Sequence, residues 1–337
     1  MRRTLLTTGC VAAAAALAAL VLGTGSPAVP PQQLPAVLAG DGPAHVLVTQ
    51  LRLPRLVLGV LAGAALGAAG MLLQTSLRNP LAVPELLGVS SGAAAAVAIT
   101  IVTGAAVPFA PLLPAVLGAA AGGALTLLAV RGAVGPAAVL LIGAGVGAAL
   151  QALLLSAVAL TGSQEQGVLV RYLLGSLTGT TWPVVAAAVP GLVLALPAAV
   201  AVLPALELLR LGDTAASVLG LRTGAARAAV LGTACLLVAS VVGPCGPVAW
   251  VGFLAPQVVR FVAPAAGPLL RLACSAGCGA VIVVVADLVA RSVLHPVELP
   301  AGGLTAVVAI ALGGVPAGMR ALRRRPGGER PGAVVAP

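Results

Sequence analysis

Apolar runs of about 20 residues recur from one end of the chain to the other, and they constrain its fold more than any other feature. A helix of that length crosses a hydrocarbon layer about 30 Å thick. Charged residues make up only 8% of the sequence, so no soluble domain of useful size remains. Because the runs lack the strict alternation of a β-barrel, they predict a polytopic membrane protein built only of α-helices.

The predicted crossings number about ten at about 20 residues each, and they make residues 1–337 a single transmembrane domain. The first, at 1–23, has a basic start, and we expect it to be retained rather than cleaved as a signal peptide. The span at 248–262 is short and rich in proline, so we expect a broken or tilted helix buried among its neighbours. The other crossings are predicted at 51–75, 90–108, 111–130, 137–160, 183–203, 226–244, 269–290 and 302–319.

Arginine placement predicts the orientation, because basic residues in short loops stay on the cytoplasmic side of the membrane. All 18 basic residues are arginines, and 14 of them are cytoplasmic if both termini lie in the cytoplasm. The chain is then a multi-pass protein of the cytoplasmic membrane, and its net charge of +10 gives little support for nucleic-acid binding. The segments outside the spans are an outer loop at 26–50, a short outer-surface helix at 161–182, a cytoplasmic loop at 204–225 and a cytoplasmic tail at 320–337.

The residue types argue against catalysis or cofactor binding by this chain. A Walker A loop needs a lysine and the sequence contains none, so ATP and Mg²⁺ would have to be bound by partner subunits. Cys274 and Cys278 share a helical face, but no third ligand is near enough in sequence to suggest a metal site. His45 and His295 both fall in outer loops and form no pair of nucleophile and base. We therefore expect no catalytic residue, no metal and no enzyme activity.

Glycines recur at every fourth position in two of the apolar runs. Gly59, Gly63 and Gly67 form one such series, and Gly143 with Gly147 forms another. Small residues at this spacing let helix backbones approach closely, so we expect packing seams rather than ligand sites.

The stretch SLRNPLAVPELLGVSSGA, residues 76–93, interrupts two apolar runs. Pro80 and Pro84 forbid a continuous helix, and Asn79 can accept hydrogen bonds from backbone amides as a cap. The serine pair that follows can start the next helix. On the predicted topology this stretch is a cytoplasmic hairpin.

Four ordered motifs resemble those of the FecCD-type permease family of ABC importers for iron–siderophores, haem and cobalamin. The first comprises Gly70, Gln74, RNPLA at 78–82, Pro84, LGVS at 87–90 and Gly92-Ala93, and it follows LRLPR at 51–55. The others are ELLRLGDTAASVLGLRTGAAR at 207–227, GPVAWVGFLAPQVVR at 246–260, and ADLVAR at 286–291 with ELPAGGLTAVVAIALGGVPAGM at 298–319.

The resemblance implies the fold of a type II ABC importer permease, like that of the cobalamin importer. It also implies a second permease subunit, identical or a close paralogue, two cytoplasmic ATPase subunits and an extracytoplasmic binding protein. Ferric siderophore is the expected cargo, with haem or cobalamin as alternatives. An ion-coupled secondary transporter is a more distant alternative, because no acid is predicted near the membrane midplane.

The resemblance also assigns roles to individual residues. Arg52, Arg55 and Arg291 would dock the binding protein, and Arg171 and Gly175 would form a gate. ATPase coupling would involve Glu207, Leu209, Gly212, Asp213, Ala216, Leu219 and Gly220. The apolar residues Leu208, Leu209, Leu211, Ala215, Ala216 and Leu219 predict one short amphipathic helix in this loop, with Arg210 and Asp213 on its polar side.

The remaining motif residues have expected structural roles. They are Gln74, Arg78, Asn79, Pro80, Pro84, Gly88, Gly252, Pro256, Gln257, Arg260, Asp287, Pro300 and Gly302. Gln257 stands where the family usually has His, which removes a group that could titrate near neutral pH. Trp250 stands where the family usually has Phe, and in a packed core its N–H would need a partner. Asp287 lies four residues before Arg291, so we expect an i,i+4 pair between them.

Overall fold

The computed structural model describes residues 15–25, 27–40, 42–129, 136–160, 166, 169, 172–293 and 299–309. Every regular element in these ranges is a helix, which confirms the all-α prediction. The helices are α1 (15–23), α2 (Leu34–Ala39), α3 (His45–Ser76), α4 (Val89–Thr103), α5 (Leu112–Ala129), α6 (Pro136–Leu160), α7 (Trp182–Ala201), α8 (Leu203–Arg210), α9 (Asp213–Val218), α10 (Thr223–Cys245), α11 (Val251–Val262), α12 (Pro268–Ser292) and α13 (Ala301–Ala309).

Six of the described helices, α3, α5, α6, α7, α10 and α12, are long and apolar enough to cross a membrane. They coincide with six of the predicted spans. The spans predicted at 90–108 and 248–262 are the shorter apolar helices α4 and α11. The predicted first and last spans are described only at 15–23 and 301–309, and the tail at 320–337 lies outside the described residues.

Helices α3 and α10 occupy the centre of the bundle. Helix α3 packs against α12, α10 and α11, while α10 also packs against α7, α5 and α4. In both central helices 72% of the most apolar window is buried, compared with 22% in α6. Helices α3 and α10 are therefore enclosed by protein, whereas α6 presents most of its surface outward.

Glycine contacts set the distances between these helices. A Cβ atom placed on Gly63 would overlap the carbonyl oxygen of Gly279 in α12, and one on Gly67 would overlap that of Ser275. One on Gly143 in α6 would overlap the carbonyl oxygen of Leu86. The predicted helix-packing seam is confirmed at Gly63 and Gly67, where backbone touches backbone, whereas Gly143 packs against the connection between α3 and α4.

The boundaries differ from prediction at two places. Helix α3 begins at His45 and passes through a π-helical turn at Val48–Arg52, so the spanning helix starts inside the predicted outer loop. That loop also contains α2. Around α11, Pro247 and Pro264 lie outside the helix and bracket it, which accounts for its 12 residues.

The glycine seam between α3 and α12 predicts a sharp difference between two alanine substitutions. Gly63→Ala forces the two helices apart and should lower the free energy of unfolding by roughly 1–3 kcal/mol. Gly277→Ala in α12 is the matched control, because nothing lies within 4 Å of its added Cβ. Thermal unfolding of both variants in detergent measures the effect. Equal midpoints would show that the seam does not limit packing.

Candidate functional site

The predicted hairpin, residues 77–88, links α3 to α4 at one end of the bundle, called the hairpin end below. Asn79 Oδ1 accepts a hydrogen bond from the amide of Leu81 at 2.9 Å, so Asn79 stabilises a turn inside the hairpin. Gly88 then precedes α4 with φ of 69°, a conformation that disfavours other residues. Helix α4 therefore starts at Val89, without a side-chain cap from the serine pair.

The first and third motifs meet at this hairpin. Gln74 Nε2 donates to the carbonyl oxygen of Gly252 at 3.0 Å, and a Cβ on Gly70 would overlap that same carbonyl group. Gln257 Nε2 lies 3.4 Å from the carbonyl oxygen of Pro80. The amide therefore makes a contact with the hairpin, although it cannot titrate as His would. Pro256, on the same helix as Gln257, is buried.

The predicted coupling loop at 204–225 contains two helices where the sequence suggested one. Helices α8 and α9 are separated at Gly212, whose φ of 104° suits glycine. Leu209 and Ala216 are fully buried, whereas Leu211, Val218 and Leu219 are 62%, 82% and 59% exposed. The prediction of one amphipathic helix in this loop is therefore wrong. One set of apolar residues anchors the loop to the bundle, and a second set is left on its surface.

Charged contacts fix the shape of this loop. Arg227 binds both carboxylate oxygens of Asp213 and, with Arg78, holds the pKa of Asp213 below its ordinary value. Arg210 Nη1 pairs with Glu207 one turn earlier, at 2.8 Å. A Cβ on Gly212 would lie 3.2 Å from Arg78 Nη1. The hairpin of the first motif thus touches the break between α8 and α9. Gly220, at the end of the loop, has φ of 84°.

The three predicted docking arginines lie together at the opposite end, where each has a protein partner. Arg52 is only 7% exposed and donates to the carbonyl oxygens of Leu22 and Pro27, at 2.8 and 2.6 Å. Arg291 Nη2 donates to Val21 at 2.6 Å. To bind another protein, Arg52 would first have to give up two hydrogen bonds.

Arg55 forms an ion pair with Asp287 that joins α3 to α12. Its Nε and Nη2 atoms donate to the carboxylate at 2.8 to 3.1 Å, and the side chains are 12% and 5% exposed. The sequence suggested Arg291 as the partner of Asp287 within one helix. The partner that the structure shows for Asp287 is Arg55, 232 residues away in sequence, which local spacing cannot reveal.

The predicted gate segment is described at 166, 169 and 172–182, while Arg171 lies outside the described residues. Tyr172 is buried and its hydroxyl donates to the carbonyl oxygen of Gly243 at 2.8 Å. Gly175 accepts from the amide of Gly302 at 3.1 Å, close to the half-buried Pro300. Residues 166, 169 and 172–174 are helical, and Tyr172 and Gly175 are bonded to the bundle, so the described part of the segment is more buried than a surface helix would be.

Trp250 differs from its expected environment. It is 38% exposed, has φ of 66° and meets Phe253 edge to face at 5.9 Å between ring centroids. A tryptophan with this exposure does not need a buried partner for its N–H. Within the described ranges, no three His, Cys, Asp or Glu side chains are grouped to hold a metal ion.

Glu85 in the hairpin is a residue whose setting the sequence did not reveal. Both of its carboxylate oxygens are buried without a hydrogen-bond partner. Burial raises the pKa of Glu85 to about 7, and the nearby backbone N–H groups of Glu85 and Trp250 oppose the shift without forming hydrogen bonds of ordinary geometry. Only its position between two prolines and a glycine could have hinted at an enclosed turn.

The Arg55 pair should contribute far more to stability than the exposed pair in the loop. Asp287→Asn leaves a buried guanidinium without its counter-charge and should cost about 3–5 kcal/mol of unfolding free energy. Glu207→Gln is the matched control, because both members of its pair are 37% exposed and such pairs contribute about 0–1 kcal/mol. Chemical unfolding in detergent compares the two. Equal losses would contradict a buried ion pair.

Glu85 predicts a pH dependence of stability with a defined sign. Its pKa is higher in the folded chain than its ordinary value of 4.5, so the unfolding free energy falls as pH rises from 4.5 to about 7. Glu85→Gln should remove this fall, worth about 3 kcal/mol, and should be more stable than the wild type at pH 8. The measurement is the difference in unfolding midpoint between the two proteins at pH 5 and pH 8. A constant difference would contradict the shift.

Comparison with known proteins agrees with this arrangement of motifs. The model of the FecCD transport family matches residues 11–312. The chain is 34% identical to the Fe(3+)-citrate import system permease YfmE of Bacillus subtilis over 295 residues, or 87% of this chain and 88% of that protein. It is 32% identical to the ferric enterobactin permease FepG of Escherichia coli over 300 residues, which cover 87% of this chain and 88% of that protein. It is 34% identical to the cobalamin permease BtuC of Halobacterium salinarum over an alignment that covers 79% of this chain and 71% of that protein.

Solved structures show the same architecture. An inward-facing ABC transporter of metal-chelate type has a TM-score of 0.76 and 26% identity, covering 93% of this chain and 99% of that one. The PsaBC complex of Streptococcus pneumoniae shares the fold, with a TM-score of 0.62 and 14% identity. The match covers 82% of this chain and 93% of that one. The chain belongs to the FecCD transport family and has the fold of the type II permeases of ABC importers.

Proposed function

We propose that this chain is the permease subunit of an ABC importer that moves ferric siderophores into the cytoplasm. A chain without lysine cannot carry a Walker A loop, so the energy would come from two ATPase subunits outside it. The permease would work as a dimer, identical or with a close paralogue, and an extracytoplasmic binding protein would deliver the cargo.

The observation that carries this proposal is the division of the 204–225 loop into a buried base and an exposed apolar surface. Leu211, Val218 and Leu219 protrude from an end of the bundle that is rich in arginine, where the orientation rule puts the cytoplasm. Exposed apolar side chains on a loop held by ion pairs suit a partner protein. Because Arg78 touches Gly212, movement of the loop would be passed to the hairpin and from there to α3 and α4.

Ferric siderophore is favoured over the other family cargoes by the named relatives. YfmE and FepG are permeases for ferric citrate and ferric enterobactin, and their similarity extends over more of this chain than that of the cobalamin permease BtuC. Cobalamin is the second candidate, because BtuC is also 34% identical.

The proposed docking role of Arg52, Arg55 and Arg291 rests on their grouping at the end opposite the loop. Guanidinium forks can bind carboxylates of a partner in two-point geometry. Arg55 would have to bind a carboxylate of that partner as well as Asp287, and Arg291 would have to keep or exchange its bond to Val21. Their contribution would then be mostly to orientation and encounter rate.

The coupling proposal is tested by placing a charge on the exposed surface of the loop. Leu219→Glu should lower vanadate-sensitive ATP hydrolysis by the co-purified complex at least about tenfold, because the carboxylate would be desolvated against the ATPase. Ala265→Glu is the matched control: it puts the same side chain on an exposed residue of the turn between α11 and α12. Wild-type hydrolysis in the Leu219→Glu complex would contradict coupling through this loop.

The cargo is tested by growth of a deletion strain under iron limitation. Ferric citrate, a catecholate siderophore and a hydroxamate siderophore are supplied separately, and cobalamin-dependent growth is measured in parallel. We expect loss of growth on at least one ferric chelate, restored by the wild-type gene. A defect confined to cobalamin-dependent growth would select the second candidate.

A further inference from the structure

A cavity of about 330 Å³ opens at the hairpin end of the bundle, beside the loop but separate from its exposed apolar surface. Four different elements each contribute one arginine to its wall. They are Arg78 from the hairpin, Arg210 from α8, Arg260 from α11 and Arg271 from α12. Arg78 and Arg210 are far in sequence from each other and from Arg260 and Arg271, so their convergence is a property of the fold.

The positive charge in this cavity is only partly compensated. Arg210 pairs with Glu207, and Arg271 Nη2 donates to the carbonyl oxygen of Pro264 at 3.1 Å. The guanidinium groups of Arg78 and Arg260 form no hydrogen bond or ion pair with any residue in the described ranges. Asp213, which interacts electrostatically with Arg78, is already bound by Arg227. The cavity therefore holds more guanidinium groups than carboxylates.

Two buried polar atoms in the same wall also lack partners. Ser275 is fully buried and its hydroxyl has no hydrogen-bond partner. Gln74 is 5% exposed, and its Oε1 atom is unpartnered although its Nε2 donates to Gly252. A buried polar group without a partner is costly to the fold, so such groups commonly mark a place that a ligand or water completes. The hydroxyl can donate to an anion, and the amide oxygen can accept from a guanidinium or an acidic hydroxyl.

The surface beside the cavity is apolar. Phe261 and Val262 at the end of α11 are each 74% exposed, and Leu269 and Leu270 at the start of α12 are 57% and 55% exposed. Arginines next to exposed apolar side chains match the boundary between lipid headgroups and acyl chains. A cavity of this volume suits a compact oxyanion better than a stretch of polypeptide.

We propose that this cavity binds a phosphate group, held by Arg78, Arg260 and Arg271 with the Ser275 hydroxyl, and supplied by the headgroup of an anionic lipid. Guanidinium groups bind phosphate oxygens in two-point, charge-assisted geometry, and several together can neutralise a dianion. Free phosphate has the same chemistry and is the alternative source. This site is independent of which cargo the importer carries.

The test uses the full chain, purified and delipidated in a neutral detergent. Calorimetric titration compares three probes: inorganic phosphate, dihexanoyl phosphatidic acid and dihexanoyl phosphatidylcholine. We expect phosphatidic acid to bind, with an affinity that falls as salt rises, and phosphatidylcholine to bind at least about tenfold more weakly. Phosphate binding as tightly as phosphatidic acid would assign the site to the free anion, and tighter binding of phosphatidic acid would assign it to the lipid.

Three substitutions separate binding in the cavity from the effect of general surface charge. Arg260→Gln should weaken phosphatidic acid binding about tenfold, whereas Arg222→Gln, an exposed arginine at the same end but outside the cavity, should leave it unchanged. Ser275→Ala should weaken binding with an unchanged elution profile, which guards against misfolding. Failure of both phosphate and phosphatidic acid to bind would overturn the proposal. Equal losses of phosphatidic acid binding in the Arg260 and Arg222 variants would also overturn it. So would an Arg260 variant that binds phosphatidic acid like the wild type but no longer binds the ATPase, because that result would indicate a protein carboxylate as the occupant of the cavity.

Discussion

Direct backbone contact between helices is the constraint on which this structure depends. Along α3, Gly63, Gly67 and Gly70 face carbonyl oxygens of α12 and of α11, with no room for a side chain between. Membrane helices gain little from burying apolar surface against each other rather than against lipid, so close packing must supply the cohesion. The glycines bring α3 close enough to both neighbours for Gln74 and Arg55 to form polar bonds across the interfaces.

These polar bonds differ in strength between the two ends of the bundle. At one end, the buried pair of Arg55 and Asp287 locks α3 to α12. At the other, Gln74 connects α3 with α11, Gln257 connects α11 with the hairpin, and Arg78 connects the hairpin with the 204–225 loop, each through a single hydrogen bond or contact. The strong, buried interaction lies far from the loop proposed to bind the ATPase, and the weaker contacts lie beside it. Such a distribution suits a bundle that is rigid at one end and adjustable at the other.

The sequence predicted the spans well because apolar length is a local property that the membrane requires. Proline placement likewise predicted the hairpin and the short helix α11. The sequence could not predict what depends on distant neighbours: the pairing of Asp287 with Arg55, the burial of Glu85, or the gathering of four arginines from four elements. The break at Gly212 was missed because apolar residues continue at helical spacing on both sides of it.

The interlocked glycines also limit how this protein can move. Two helices whose backbones touch at successive turns cannot slide past each other by small steps, because each step would drive a carbonyl group into the opposing chain. These contacts favour movement of α3, α11 and α12 as one block. A rearrangement of the bundle would then fall to the glycine turns at Gly212 and Gly88, and to α6 and α7, the least buried of the six long helices described.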